Sequence, residues 1–234
     1  MTAPSARGLA LSRRYRRDSP QDCLALNAAA AAPPLREKDD FYPTPWGPTT
    51  AFLLREGARM REIGGPVWES AAGNGAMCEE IRDEGFEVVA SDLIDRGAGA
   101  VLRSYFDFTE PLGGARMALT NPPFKLISAG QSGGAWLRQS LALGLEYHAY
   151  LLSWDWPAAV ANGLGALLDA NPPSRVYLIR KKIDFTGGGA PPQRNAFFVW
   201  DRAWQGETAL RWLDVPKAPR SADALDAAQG RLAL

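Results

Sequence analysis

The chain has 234 residues, of which 46% are hydrophobic and 22% charged, and its 26 lysines and arginines are balanced by 26 acids. These values are ordinary for a soluble globular protein of one domain with a full core. The zero net charge excludes an overall positive field, so a nucleic-acid partner would have to be met by local basic patches. Cys23 and Cys78 lie far apart, in no zinc spacing and no disulfide framework, and no metal is expected. No run of about 18 apolar residues reads as a membrane span. The N-terminal arginines precede no apolar signal segment, so a reducing, cytoplasmic location is the default. The single histidine, His148, lies in an apolar run and reads as a core or strand residue rather than a catalyst.

In chain order, residues 1–38 differ from the rest. They carry the basic cluster Arg13-Arg14-Tyr15-Arg16-Arg17 and an alanine–proline segment, residues 28–34. They read as a disordered or partly helical arm whose arginines either bind phosphates or serve as a solvated tail. Asp39-Asp40-Phe41-Tyr42-Pro43-Thr44-Pro45-Trp46 is an aromatic, proline-rich turn. Thr49 or Thr50 is positioned to cap a helix running to about Met60. A strand opens at Val67-Trp68 and ends at Glu69-Ser70-Ala71-Ala72-Gly73-Asn74-Gly75. A helix over residues 76–84 follows, with Met77 and Ile81 inward and Gly85 closing it. Residues 86–90 form a second strand ending in Ser91-Asp92. The succession is a βαβ unit.

The glycine turn lets backbone N–H groups and a helix N-terminus approach a ligand without Cβ obstruction. Asp92, with Leu93 behind it, stands where an acid accepts ribose hydroxyls. A dinucleotide site would carry a third glycine where Cys78 stands. The Glu69 carboxylate would repel a pyrophosphate and suits an ammonium. An adenosine ligand with an amino-acid tail and a sulfonium fits these features, and S-adenosylmethionine is that ligand. The plainer reading of Gly73 and Gly75 is a tight strand-to-helix turn.

Residues 101–106 suggest a short third strand ending in Asp107-Phe108. That pair suits an adenine amino group and ring, or else a local cap near Thr109. Residues 115–120 form a fourth strand, which delivers Asn121-Pro122-Pro123-Phe124 to the same carboxyl edge. Two prolines fix the turn, Asn121 and the main-chain carbonyls supply acceptors, and Phe124 supplies a flat apolar face. Such a turn can hold a planar ring by its exocyclic amino group, as for a nucleobase turned out of its stack. The second Asn-Pro-Pro, at Asn171, follows a helical segment, lacks the aromatic and reads as a helix stop.

A glycine-rich loop from Lys125 leads to a helix over 135–145, a fifth strand over 147–153 and a helix from Asp155 to about Asp169. Strands six (176–180) and seven (196–200) follow without a helix between them, and should pair antiparallel. Their connection carries Lys181, Lys182 and Arg194, and reads either as a DNA-contacting loop or as a plain long hairpin loop. Residues from 217 onward read as a loose tail.

Taken together, the chain resembles class I S-adenosylmethionine-dependent methyltransferases, and among them the small phage and prophage DNA adenine-N6 methyltransferases. The likeness covers residues 39–205 and rests on motif order. Residues 40–45 look like the cofactor-pocket motif, with Tyr42, Thr44 and Pro45. Glu69 to Gly75 is similar to the glycine motif, with Ala71, Gly73, Asn74 and Gly75 as contacts. Asp92-Leu93 and Asp107-Phe108 resemble the ribose and adenine sites, and Asn121 to Phe124 the catalytic tetrapeptide. Thr186-Gly187-Gly188-Gly189 and Phe198-Val199-Trp200-Asp201 also look like the small phage members. Ser70 replaces the usual proline, and no insertion has the size of a target-recognition domain.

The resemblance implies a Rossmann-like α/β catalytic domain over 39–216, with a seven-stranded, mostly parallel sheet and a C-terminal antiparallel hairpin strand. It implies S-adenosylmethionine as cofactor, transfer to adenine N6, and DNA as partner, for which the basic residues Lys125, Lys181, Lys182 and Arg194 are the candidate contacts. RNA adenine, cytosine N4 and protein glutamine are related acceptors, and a non-catalytic nucleic-acid-binding protein of the same fold is the alternative of another class.

Overall fold

Strands buried on both faces read as nearly continuous apolar runs, and this pattern sets the architecture. The structure, a computed structural model, describes residues 41–130, 132–185 and 193–216. The expected arm over 1–38, the glycine motif at 186–189 and the tail from 217 lie outside the described residues.

Among the described residues run α1 (Pro48–Ile63), β1 (Val67–Glu69), α2 (Ala76–Asp83), β2 (Val88–Asp92), β3 (Val101–Leu102), β4 (Met117–Thr120) and the one-turn α3 (Phe124–Ile127). They continue with α4 (Ala135–Ala142), β5 (Tyr147–Ser153), α5 (Leu164–Ala170), β6 (Arg175–Ile179), β7 (Asn195–Asp201) and β8 (Ala209–Leu213). The strands form one sheet in the order β3-β2-β1-β4-β5-β7-β6-β8. β7 runs antiparallel to both β5 and β6, and the remaining pairs are parallel.

The alternation along β4 and β5 sorts the core into two layers. Met117, Leu119, Tyr147, Ala149 and Leu151 face α1 and α2, packing on Phe52, Met60, Met77 and Ile81. Ala118, Tyr150 and Leu152 face the opposite layer, with Trp136 and Leu137 of α4 and Leu164 of α5. His148 shares that second face, stacked on Trp200 with ring centroids 5.2 Å apart, and burial holds its imidazole neutral.

Four expectations need correction. The sheet has eight strands among the described residues, not seven. β8 pairs parallel to β6 at the edge and exposes both Leu210 and Trp212, so its sequence lacks the in–out contrast that marks a strand. The third strand shrinks to Val101–Leu102, because the Ser104 side chain accepts from Phe106 N at 3.3 Å and turns the chain into a 3₁₀ turn. The helix expected from Asp155 begins only at Leu164, since Pro157 and the left-handed pair Asn162 (φ +53°) and Gly163 (φ +81°) interrupt it. Neither threonine is the N-cap of α1. That position is Gly47, and the end of the helix is satisfied from a distance by Glu80 of α2. Its Oε2 accepts from Gly47 N at 2.9 Å, Thr50 N at 2.9 Å and Thr50 Oγ1 at 2.8 Å.

A buried ionic cluster ties α1 to the far half of the sheet. Arg175 of β6 donates to both oxygens of Glu56, at 2.7 and 2.8 Å, and to Asp201 of β7 at 3.1 Å. The Tyr147 hydroxyl donates to Glu56 at 3.1 Å, and the Tyr177 hydroxyl donates to it as well. Arg59 closes the cluster on both Asp201 oxygens, at 3.1 Å each. Removing one member of such a buried set leaves an uncompensated charge. Glu56→Ala is therefore expected to cost about 3–5 kcal/mol of unfolding free energy in urea titration. A variant as stable as the parent would show the cluster to be energetically idle.

Candidate active site

β1 ends with Glu69 buried, and the chain must then turn sharply into α2. Gly73 (φ +55°) and Gly75 (φ +88°) take the left-handed backbone this turn needs. The Asn74 side chain accepts from Ala76 N at 3.3 Å, and the turn is stitched to the end of β2. Ala72 N donates to Ser91 O at 3.1 Å, and Gly73 N donates to Asp92 Oδ2 at 2.7 Å. On the other carboxylate oxygen, Asp92 accepts from Ile94 N at 2.9 Å and Arg96 at 3.3 Å. Three of the roughly four acceptor positions of this carboxylate are thus engaged.

Glu69 is 1% exposed. Its Oε1 accepts from Ala71 N at 3.0 Å and from the Thr120 hydroxyl at the end of β4, and among the described residues no donor reaches Oε2. Burial pushes the carboxyl up to about 8, with the nearby Asp92 charge acting in the same direction and the two hydrogen bonds opposing it. A buried carboxyl with one unengaged oxygen is a place for a ligand cation.

Asn121 follows β4 at the same edge. Its Nδ2 donates to the Tyr42 carbonyl at 3.4 Å and to Thr44 Oγ1 at 3.2 Å. A backbone carbonyl only accepts, so this contact orients the amide: both amino hydrogens are taken by residues 42–44, and Oδ1 is left as the acceptor. Pro122 is buried, Pro123 half-buried, and Phe124 is 42% exposed at the start of α3.

The structure therefore brings Tyr42, Thr44, Glu69, Ala71, Gly73, Asn74, Gly75, Asp92 and Asn121 to one carboxyl edge, over the adjacent strands β2, β1 and β4. Pro45 is half-buried beside Thr44, and Leu93 is exposed just past Asp92. Asp107 is exposed in a 3₁₀ turn. Phe108 is turned inward: its ring meets Trp68 edge-on at 4.9 Å and carries the Arg103 guanidinium at 4.5 Å. Lys125 lies exposed beside Phe124. Lys181, Lys182 and Arg194 are exposed at the same edge but on the β6–β7 side.

Two residues of the site escaped sequence reasoning. Phe41 sits so close to the glycine turn that a Cβ on Gly73 would meet its Cε2 at 2.8 Å. Arg96 places its guanidinium 4.4 Å from the Phe41 ring centroid while it binds Asp92. The Asp92–Arg96 spacing of four was a signal for the ion pair. Nothing local linked Phe41 to a turn about thirty residues away. Among the described residues no group of His, Cys, Asp or Glu could hold a metal ion, and no helix is long and apolar enough to cross a membrane.

No protein-family model matches the sequence, and no curated protein does. Solved structures do match. A chain from Vibrio vulnificus YJ016, described as a modification subunit of a type I restriction enzyme, aligns over 91% of this chain with a TM-score of 0.50 and 13% identity. This chain spans 56% of that subunit's length. The two share a Rossmann-like α/β fold. A protein from Pyrococcus horikoshii described as an RNA methyltransferase matches at TM-score 0.48 and 15% identity, over 77% of this chain and 97% of its own. One from Listeria monocytogenes described as a class I S-adenosylmethionine-dependent methyltransferase matches at 0.47 and 11%, over 89% and 75%.

Because the folded Glu69 carboxyl sits near 8 and its ordinary value is 4.5, the folded state keeps a proton that the unfolded chain releases. Stability is greatest below the unfolded value, falls as pH rises between the two and levels off above the folded one. Glu69→Gln cannot ionise and is expected to flatten that fall. Melting temperatures between about pH 5 and pH 8 check it, with the variant gaining on the parent as pH rises. Parallel curves would contradict the assignment.

Proposed function

We propose that the chain is an S-adenosylmethionine-dependent methyltransferase acting on the exocyclic N6 amino group of adenine in DNA. The observation that carries this reading is the orientation of Asn121. Its donors are held by residues 42–44, so it offers an acceptor and selects a ligand that donates, as an amino group does.

The residues present fit the cofactor. Glu69 offers a buried carboxyl to an ammonium, the glycine turn offers room without side chains, and Asp92, held beside that turn, would accept ribose hydroxyls. Arg96, now on Asp92, would give way to the second ribose hydroxyl. When bound, the cofactor supplies an electrophilic methyl on sulfur. The chain's own residues do the rest. The adenine N6 lone pair is delocalised into the ring, and hydrogen bonds from its amino hydrogens to Asn121 Oδ1 and the Pro122 carbonyl favour a more tetrahedral nitrogen. Phe124 stacks on the flipped base. The site works by positioning and electrostatics. Asn121 and the Pro122 carbonyl would hold N6 toward that methyl, the cofactor would leave as the thioether, and the proton lost from N6 would pass to solvent. The described cysteine does not suit a covalent route, because Cys78 is buried and its thiol is pushed up to about 12. The fold shared with the Vibrio modification subunit is in keeping with a DNA substrate.

Incubation with labelled S-adenosylmethionine and unmethylated duplex DNA, followed by separation of the digested nucleosides, tests the reading. Label in N6-methyladenine is the expected result. Label in N4-methylcytosine, or only in RNA or protein, would replace the substrate. No label in any of them would overturn the enzyme assignment. Asn121→Ala is expected to lower transfer by about a hundredfold or more while cofactor affinity holds. Equal loss of both would sink the role given to Asn121.

A further inference from the structure

Beyond the site, β5, β6 and β8 end, and the antiparallel β7 begins, at the same carboxyl edge, where they leave a groove of about 280 Å³. Its rim carries Trp154, just past β5, and Trp212 of β8, with Arg180 and Arg194 between them and Leu178 and Asn195 below. The two indoles are 52% and 54% exposed. Large aromatic surfaces left open in this way mark contact sites more often than they serve the fold. The cations beside them are arranged together: Arg194 Nη1 donates to the Arg180 carbonyl at 3.4 Å, and the Arg180 guanidinium stands 5.7 Å from the Trp212 ring. Arg180 also pairs with Asp214 at 3.6 Å, but both side chains are more than half exposed. An ion pair in water holds weakly and yields to a competing anion.

Aromatic faces alternating with guanidinium groups complement one ligand chemistry, a nucleic-acid strand with unpaired bases. The position agrees. Counting strands at about 4.8 Å each, Trp154 lies about 5 Å and Trp212 about 19 Å along the sheet from β4 and Asn121. That span suits nucleotides neighbouring a base held at Asn121, and nothing about Asn121 itself calls for tryptophans there. Extrusion of a base also leaves its neighbours partly unstacked.

We propose that the Trp154–Trp212 groove is a stacking platform for unpaired nucleotides flanking the target base, with Arg180 and Arg194 taking the phosphates between them. The proposal rests on the nucleic-acid reading of the site and specifies how the strand runs from it. It assigns binding to groups that are indifferent to base identity, because every base has a face to stack.

The test is the affinity of the full chain for a short labelled single-stranded oligodeoxynucleotide, by fluorescence anisotropy, with methyl transfer to duplex DNA measured separately. Trp154→Ala and Trp212→Ala are each expected to weaken binding about tenfold, while Trp154→Phe, which keeps a ring, retains most of it. Arg194→Ala, a change at an exposed position, is expected to weaken binding and to reduce its salt dependence by about one phosphate contact. Melting temperature and cofactor affinity confirm that each variant is folded. Alanine variants that bind as the parent does overturn the platform, as does a parent that fails to bind the strand. Adenine methylation with unchanged binding in the variants removes the platform and leaves the proposed reaction standing. Tryptophan-dependent binding without methyl transfer removes the reaction and leaves the platform.

Discussion

The Glu56 carboxylate is the constraint on which the rest of the structure depends. It is buried in the middle of α1, and a charge there is tolerated only when its lone pairs are filled. Arg175 and Tyr177 of β6 and Tyr147 of β5 fill them. α1 is therefore fixed against β5 and β6 through Glu56, and against β7 through Arg59 on Asp201. Its other end is fixed just as specifically, by Glu80 of α2 on the opening N–H groups of the helix. A helix held at its middle by the sheet and at its start by α2 is restrained from sliding or rolling. The residues that lead into it inherit that rigidity. Those residues are 41–47, and they place the Tyr42 carbonyl and Thr44 hydroxyl against the Asn121 amide. The orientation of a single side-chain amide at the carboxyl edge is thus a consequence of ion pairs on the far side of the molecule.

The same logic runs through the glycine turn. A turn with two left-handed glycines would be loose if nothing held it. Here the end of β2 holds it, through the Ala72 and Gly73 amides, while Glu69 braces its first residue and takes the Thr120 hydroxyl from β4. Three neighbouring strand ends are joined by side-chain bonds across the edge of the sheet. The backbone ladders alone would stop short of it. The cost is that a carboxyl becomes buried and holds its proton near neutrality. That cost is also a handle, because a ligand cation that ionises Glu69 recovers the favourable interaction.

What was legible in the sequence and what was not divides along range of interaction. The βαβ unit, the acid at the end of β2, the Asn-Pro-Pro-Phe turn and the antiparallel β6–β7 pair were readable, because each is written in consecutive residues with a distinct period or a proline. The second Asn-Pro-Pro was readable too: Asn171 closes α5. The cap of α1 was misassigned because the true partner, Glu80, is 30 residues from Thr50, while a threonine stood at hand. Phe41 was missed for the same reason, whereas the Arg96 ion pair carried a local signal in its spacing of four from Asp92 that went unread. β8 and the interrupted segment before α5 were misread through brevity, since an exposed five-residue edge strand and a helix cut by proline and glycine carry no periodic signal. Phe108 shows the remaining kind of gap. An aromatic after an acid looked like a ligand platform, yet the ring packs on Trp68, a contact that no local pattern could reveal.

The chemistry of the edge is compatible with a chain of no net charge. Around Asn121 the structure gathers acceptors: the amide oxygen, the carbonyls of a turn whose two prolines remove N–H donors, and the carboxyls of Glu69 and Asp92. Such a centre suits an amino group and a cationic cofactor, and it repels phosphate. A strand that places a base there must carry its phosphates elsewhere. Apart from Lys125 beside Phe124, a group of exposed cations lies to one side among the described residues, at Lys181, Lys182, Arg180 and Arg194, on the half of the sheet built from β6, β7 and β8. In the proposed reading this is a division of labour, with acceptors where the methyl would be transferred and donors where the backbone would pass. It follows that the antiparallel β7, which brings Arg194 to the carboxyl edge by its N-terminal end, does more than extend the sheet. A parallel strand in its place would present the opposite end of that segment, and Arg194 would be lost to the far side.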